Sequence, residues 1–299
     1  MEQQKTSFQG TGVALVTPFK QDKCVDFPAL KKLVEHVING GVDFLVVMGT
    51  TAEAVTLDDD EKTAVLNYIA EINGKKLPIV LGMGGNNTKS LTEKIQQSDL
   101  RHVDALLSVV PYYNKPSQEG LYQHFKRVAE STDRDIILYN VPGRTGKDMA
   151  AETTLRLAHE FNNIVAVKEA SGDFDKAMDI IINKPEGFQV LSGEDPVSLP
   201  LISLGMSGVI SVVANAYPYE WSEMVKASRH GNLNEARLLH YVLLKMIRLM
   251  FAEGNPAGVK SCLSQLGIIE NHLRLPLVPV TEKLHKEIAD EIARIRKIS

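Results

Sequence analysis

The sequence contains only two cysteines, Cys24 and Cys262, which lie far apart among its 299 residues. Small domains held together by disulfides show several cysteines at short spacings, so a disulfide framework of that kind is excluded. The first ten residues, MEQQKTSFQG, lack the basic cluster and apolar run of a secretory signal. We therefore expect a cytoplasmic protein with reduced thiols.

Long apolar runs and an excess of basic residues are also missing. The most apolar stretch, residues 241–251, is interrupted by Lys245 and Arg248 and is too short to span a bilayer. The 33 basic and 37 acidic residues give a net charge of −4, which provides no positive field for nucleic acid or anionic lipid. We expect neither kind of partner, and a composition with 44% hydrophobic residues predicts a soluble globular protein.

Motifs for metals, nucleotides and serine nucleophiles are absent. The eight histidines are scattered, and no HExxH, HxH or CxxC spacing indicates a metal site. There is no GxSxG turn and no Walker loop, and GMGGNNT at residues 82–88 lacks the third spaced glycine of a dinucleotide motif. We therefore expect neither a metal nor a cofactor.

Short apolar runs alternate with helical patterns along most of the chain. Eight such runs begin near residues 11, 43, 78, 104, 135, 164, 188 and 208, and a junction rich in Gly, Pro, Asn or Thr follows each. Runs without a polar face indicate parallel strands covered on both sides. Eight rounds within about 220 residues favour a (β/α)₈ barrel, with a doubly wound open sheet as the alternative.

Three further helical stretches follow the eighth round, at about residues 232–252, 257–266 and 281–297. We interpret residues 1–230 as the catalytic barrel and residues 231–299 as an appended three-helix region. Active sites of such barrels form at the carboxyl ends of the strands, so the junctions after the strands should carry the chemistry.

Lys168 lies within the apolar run IVAVKEA, where a charged side chain must pair or lose its proton. Strand alternation predicts Ala166 and Lys168 on one face and Val165 and Val167 on the other. If the valines contact the helices, the lysine points into the barrel, where desolvation lowers its pKa. A neutral amine can then form a Schiff base with a carbonyl. The alternative is a structural ion pair with Glu169 or another acid.

Hydroxyl groups follow three other strands. Tyr139, on the strand next to that of Lys168, can donate and accept protons or can simply pack. Thr50 and Thr51 can bind a carboxylate or cap a helix. Tyr113 can serve a proton relay or a subunit contact.

Arg144 lies in a loop bounded by Pro and Gly, and its planar guanidinium suits a substrate carboxylate, although a loop arginine is often simply solvated. A buried lysine, an acid–base tyrosine and no metal together indicate carbon–carbon chemistry through an enamine.

The chain resembles the dihydrodipicolinate synthase family over essentially its whole length. The matching segments occur in order along the chain as VALVTPF, GTTAE, PYYNKPSQEGLYQHF, ILYNVPGRTG, VAVKEASGD, LSGED, GVISVVAN and NPAGVK. The resemblance implies a (β/α)₈ barrel with a C-terminal helical region, assembled as a homotetramer that is a dimer of dimers. It also implies condensation of pyruvate with L-aspartate 4-semialdehyde to 4-hydroxy-tetrahydrodipicolinate, the committed step toward diaminopimelate and lysine.

The same resemblance implies the catalytic residues. Lys168 would hold pyruvate as an imine, which is a substrate intermediate and not a cofactor. Tyr139 would be the proton donor and acceptor. Thr50 and Tyr113 would complete a hydroxyl relay with it, and Tyr113 would reach in from a neighbouring subunit.

Substrate-binding residues are implied in the same way. Thr51 would bind the pyruvate carboxylate through its hydroxyl and N–H groups, and Gly193 and Ile210 would line the pocket. Arg144 would receive the carboxylate of the semialdehyde. Ala52 stands where the family usually has glycine, which restricts the backbone of that turn.

Relatives that lysine inhibits often bind it with a histidine-bearing segment and a glutamate. Asp59, Lys62 and Ser90 stand at those positions here, although Asn86 and Tyr112 remain. We therefore predict weak or absent inhibition by lysine.

Two alternative functions stay open at this point. The first is another pyruvate-dependent lyase of the same superfamily, such as N-acetylneuraminate lyase or a keto-deoxy-sugar-acid aldolase, although these usually lack the arginine of NVPxRTG. The second is a pyruvate-binding regulator without turnover, against which a complete proton relay argues.

Overall fold

The computed structural model describes residues 7–298, which form a closed barrel of eight parallel strands followed by a helical region. The strands are β1 (Gly10–Ala14), β2 (Phe44–Val47), β3 (Ile79–Gly82), β4 (Ala105–Val109), β5 (Asp135–Asn140), β6 (Ile164–Glu169), β7 (Gln189–Ser192) and β8 (Gly208–Ser211). They pair in chain order, and β8 pairs with β1. This closure confirms the barrel and excludes the open sheet, in which two strands would have free edges.

Helices connect the strands and extend the chain beyond β8. They are α1 (Phe27–Asn39), α2 (Asp59–Asn73), α3 (Thr88–Gln97), α4 (Gln118–Ala129), α5 (Pro142–Thr145), α6 (Ala151–Glu160), α7 (Phe174–Asn183), α8 (Ser198–Ser203), α9 (Pro218–Arg229), α10 (Leu233–Ala252), α11 (Ala257–Gln265) and α12 (Glu282–Ile295). Within residues 7–298, no helix is both long and apolar enough to cross a membrane.

Side chains at the helix starts satisfy backbone N–H groups that would otherwise lack a partner. The carboxylate of Asp58 accepts a hydrogen bond from the N–H of Glu61, and the side chain of Glu61 accepts one from the N–H of Asp58. Asp26 and Ser117 cap α1 and α4 in a similar way. These caps help to fix where α1, α2 and α4 begin after their strand-end junctions.

Alternation along the strands produces two cores. On β2, Phe44 and Val46 pack inside the barrel, whereas Leu45 and Val47 pack between the sheet and the helices. All four residues are buried, which explains why the runs have no polar face.

The expected alternation fails at one position of β6. Ile136 and Ile137 of β5 pair with Ile164 and Ala166, so Val165 is an extra residue in the ladder. Val165 therefore packs with the barrel interior, and the prediction that it faces the helices was wrong. Beyond this irregularity the alternation resumes, because Val167 belongs to the outer core.

The predicted C-terminal helices are present as α10, α11 and α12, which pack on one another, while α10 also packs on α9. The division into residues 1–230 and 231–299 remains an interpretation, and residues 1–6 and 299 lie outside the described part of the chain.

Candidate active site

A pocket lies where the carboxyl ends of the strands meet the C-terminal region. Its lining residues come from both parts of the protein and are Ala14, Val46, Gly49, Thr50, Thr51, Leu107, Tyr139, Val141, Arg144, Lys168, Gly193, Glu194, Val212, Phe251 and Asn255. Six residues predicted from the sequence are in this wall, so the structure brings most of the candidate site together.

Lys168 and Tyr139 are neighbours on adjacent parallel strands. They occupy partner positions of the β5–β6 ladder, and Nζ of Lys168 lies 4.3 Å from the centroid of the Tyr139 ring. Lys168 is only 6% exposed and Tyr139 only 7%. The pair therefore places an amine over the ring of a tyrosine in a buried part of the pocket.

The alternative ion pair with Glu169 is not formed. Glu169 follows Lys168 and points to the other face of β6, where its carboxylate accepts hydrogen bonds from Asn140 Nδ2 at 2.9 Å and the Ser171 N–H at 2.7 Å. Burial raises the pKa of Glu169, although these hydrogen bonds and the charge of Lys176 oppose the shift. Among the salt bridges within residues 7–298, none involves Lys168.

Gly193 makes room for the lysine stem. Its N–H donates to the carbonyl of Glu169 at 2.8 Å, which draws the β7 junction against β6. A Cβ atom there would lie 2.9 Å from Cε of Lys168 and 2.6 Å from Cβ of Ala170. Glycine is therefore needed at this position because a larger residue would displace the candidate nucleophile.

Thr50 and Thr51 lie in a 3₁₀ turn, Thr50–Ala52, that directly follows β2 and its Met48–Gly49 link. The left-handed residues that flank this turn are Met48 and Glu53, with φ of 59° and 54°. Ala52 itself has no positive φ, so alanine fits where the family usually has glycine.

The turn is anchored to the C-terminal region by a buried ion pair. Glu53 Oε1 and Lys260 Nζ are 2.5 Å apart, and both side chains are fully buried. The N–H of Arg274 also donates to Glu53 at 2.9 Å, and Lys260 donates to the carbonyl of His272 at 2.9 Å. Burial lowers the pKa of Lys260 to about 8, although the charge of Glu53 opposes the shift.

Asn255 connects the same region to the pocket. Its Nδ2 donates to Thr51 Oγ1 at 2.9 Å. Because a threonine hydroxyl has one hydrogen, this contact leaves the Thr51 O–H free to donate into the pocket.

Arg144 lies at the exposed mouth of the pocket, in the short helix α5. The loop that carries it ends at Asp148, which binds Lys176 Nζ at 2.6 Å and Asn140 Nδ2 at 2.7 Å. The guanidinium is therefore accessible while its loop is fixed to the barrel.

Two predicted residues are not in the wall of this pocket. Ile210 is 1% exposed and belongs to the packed barrel interior, whereas Val212, just after β8, contributes to the wall. Tyr113 is 88% exposed on this single chain. Its contribution to a neighbouring subunit's site stays a prediction.

Sequence reasoning missed Glu194, Phe251 and Asn255 as wall residues. Glu194 and Asn255 lie in the LSGED and NPAGVK segments that matched the family, so the signal was present. Phe251 belongs to the C-terminal helical region, and no local sequence pattern indicates that it lines a pocket. Among residues 7–298, no group of three or more His, Cys, Asp or Glu side chains could hold a metal ion.

Comparisons with known proteins show which family the chain resembles. The model of the "Dihydrodipicolinate synthetase family" matches residues 7–295. A 4-hydroxy-tetrahydrodipicolinate synthase of Parabacteroides distasonis is 50% identical over 289 residues, covering 97% of each chain. One of Flavobacterium psychrophilum is 52% identical over 282 residues, covering 94% of this chain and 96% of the relative.

A solved structure shows the same likeness. It is the chloride-inhibited dihydrodipicolinate synthase of Acinetobacter baumannii complexed with pyruvate, with a TM-score of 0.94, 39% identity and coverage of 97% of this chain and 99% of that one. The shared barrel and the match over nearly the whole length lead to one conclusion: the chain belongs to the dihydrodipicolinate synthetase family and is a lyase.

Proposed function

We propose that this enzyme condenses pyruvate with L-aspartate 4-semialdehyde to 4-hydroxy-tetrahydrodipicolinate in the cytoplasm, as the committed step toward diaminopimelate and lysine. The observation that carries the proposal is Lys168, which lies beside Tyr139 in the pocket and forms no salt bridge with any residue of the described range 7–298. The relatives named as synthases favour this reaction over a sugar-acid aldolase or a regulator without turnover.

Lys168 Nζ attacks the ketone carbon of pyruvate, and loss of one water gives the imine. Removal of a proton from the methyl carbon then gives an enamine, whose carbon attacks the aldehyde of the second substrate. The amine of that substrate finally attacks the imine carbon, which closes the ring and releases Lys168. The imine on Lys168 accepts the electron pair that the methyl proton leaves behind, so the proposed reaction needs no cofactor.

Tyr139 moves the protons of these steps, because its phenol lies beside the amine at partner positions of adjacent strands. Thr50 lies in the same pocket wall. Together with Tyr113 it extends the chain of hydroxyl groups, which passes protons without adding net charge beside the lysine.

Carboxylates are bound at two places. Thr51 holds the pyruvate carboxylate with its N–H and with the hydroxyl that Asn255 orients. Arg144, at the mouth, holds the carboxylate of the semialdehyde. Gly193 shapes the wall beside the lysine, and Ile210 supports it from the barrel interior.

Tyr113 enters the site of a neighbouring subunit in a homotetramer, and its exposure on one chain supports this. Mixing tests the arrangement. A Tyr113→Ala variant and a Lys168→Ala variant, each inactive alone, should regain part of the activity when they are dissociated and reassembled together. No recovery, in assemblies verified as mixed, would contradict a shared site.

Borohydride trapping tests the central step. Reduction in the presence of pyruvate should add a stable mass to the peptide that contains Lys168, while the buried Lys176 serves as an internal control that stays unmodified. Absence of the adduct would overturn the proposal. Turnover with aspartate semialdehyde, compared with sugar aldehydes, then separates the synthase from the other lyases.

Inhibition by lysine is expected to be weak or absent. Asp59 pairs with Lys94 and Lys62 on the surface, and Ser90, after β3, stands where the inhibited relatives have the glutamate. Steady-state rates at rising lysine concentrations test this, and strong inhibition at micromolar lysine would refute it.

A further inference from the structure

The pocket contains one carboxylate that the proposed reaction does not yet use. Glu194 follows β7, is half-buried and lines the pocket with Arg144 and Lys168. Its backbone is held in place, because its carbonyl accepts hydrogen bonds from Ser198 Oγ at 2.9 Å and from the Val197 N–H at 3.2 Å. Within residues 7–298, its carboxylate forms no hydrogen bond and no salt bridge.

The next residue, Asp195, cannot take this place. It is 2% exposed, and its carboxylate accepts hydrogen bonds from the N–H groups of Val212 and Val213 at 2.9 and 2.8 Å. It is therefore committed to holding the β8 junction. Of the two neighbouring acids, only Glu194 is available to a ligand.

Two cations face Glu194 across the pocket. Burial raises the pKa of Glu194, and the charge of Asp195 adds to the rise, while the positive charges of Lys168 and Arg144 oppose it. Arg144 and Glu194 thus present a cation and an anion to the same space. An α-amino acid carries the complementary pair, a carboxylate and an ammonium on one carbon.

We propose that Glu194 binds the ammonium group of the second substrate while Arg144 binds its carboxylate, so that the two residues select an aldehyde with an α-amino acid head. The inference rests on the proposed function, because it assigns a role within the same site. Pyruvate has no ammonium group, so Glu194 should contribute to the second substrate alone.

The Glu194→Gln variant tests this selection by removing the charge with little change of shape. Three quantities are measured: the KM for pyruvate, the KM for aspartate 4-semialdehyde, and the inhibition constant of 4-oxobutanoate. This last compound is the same aldehyde acid without the amine, used as a competitor of the semialdehyde. We expect the KM for the semialdehyde to rise about tenfold or more, as for a lost hydrogen bond to a charged group, with the other two constants unchanged.

Two further variants complete the test. Glu194→Asp keeps the charge and should recover part of the affinity for the semialdehyde. Glu186→Gln removes an exposed acid before β7, at the opposite end of the same strand, and should leave all three constants unchanged. Thermal unfolding of each variant verifies that it folds.

Distinct outcomes would overturn the inference. Equal weakening of the semialdehyde and of 4-oxobutanoate would mean that Glu194 only holds Arg144 in position. Unchanged constants would mean that it does not contact the substrate. A wild-type enzyme that forms no pyruvate adduct would instead overturn the proposed function itself.

Discussion

At the scale of single residues, the site depends on side chains that the strand register brings into contact. Tyr139 and Lys168 could be predicted because each lies near the carboxyl end of an apolar run, and neighbouring parallel strands place such positions at one edge. The inward direction of Val165 could not be predicted, because the extra residue in the ladder depends on how β5 and β6 pair.

Loss of the Tyr139 phenol is expected to slow turnover but not to abolish imine formation on Lys168. Tyr139→Phe should lower kcat by about 100-fold or more, the usual contribution of a positioned acid–base group. When the Tyr139→Phe variant is incubated for longer with pyruvate, borohydride should still trap the adduct on Lys168. Tyr68→Phe is the matched control, since Tyr68 packs on Phe27 between helices α1 and α2. Unchanged kcat in Tyr139→Phe would contradict the role.

Asn255 is expected to act on pyruvate through Thr51. Asn255→Ala removes the donor to Thr51 Oγ1, so the hydroxyl is free to turn away from the substrate carboxylate. The loss of one hydrogen bond, about 1 kcal/mol, should raise the KM for pyruvate roughly fivefold. Asn183→Ala, on the exposed surface of α7, is the control. A changed kcat with unchanged KM would count against this account.

At the scale of elements, the alternation of strands and helices could be predicted because helices such as α2 and α4 carry buried apolar residues at helical spacing and begin at a capping side chain. Contacts between neighbouring helices could not be predicted from the sequence. Thr88, at the start of α3, bonds His124 Nδ1 of α4 through Oγ1 at 2.8 Å. Nothing in either segment alone predicts that this histidine is 4% exposed.

His124 should make the protein less stable in acid. Burial lowers its pKa to about 4 from 6.5, so the unfolded chain binds a proton between these values that the folded chain does not. The free energy of unfolding should therefore fall as the pH drops from 6.5 to 4, by about 3 kcal/mol in full.

Urea denaturation at several pH values measures this effect. His124→Gln should show a flatter dependence on pH than the wild type. His230→Gln, which changes an exposed histidine, should show the wild-type dependence. Parallel curves for the wild type and His124→Gln would contradict the assignment.

At the scale of the whole molecule, a buried ion pair joins the C-terminal region to the barrel. Glu53 and Lys260 are both fully buried and are separated by 207 residues of sequence. The resemblance located their segments, GTTAE and NPAGVK. It could not show that the two side chains pair, because that contact exists only after the chain has folded.

Breaking this pair should destabilise the whole protein. Lys260→Met leaves the carboxylate of Glu53 buried without its cation, which should cost about 3–5 kcal/mol. The double variant Glu53→Gln with Lys260→Met should cost less than the sum of the two single changes. Urea denaturation provides these values, and strict additivity would contradict the coupling.

A surface pair provides the control for this experiment. Lys31 and Glu35 are 3.8 Å apart with side chains 56% and 52% exposed. Lys31→Met should therefore change the free energy of unfolding by about 1 kcal/mol at most.

Phe251 and Asn255 come from beyond the last strand, yet both face the pocket. A gene trimmed after α9 would still encode every strand of the sheet and the lysine. The shortened protein would nevertheless lack one wall of the pocket, and bulk water would reach the amine of Lys168. A minimal version of this enzyme should therefore keep the C-terminal region, and the chain should be shortened elsewhere.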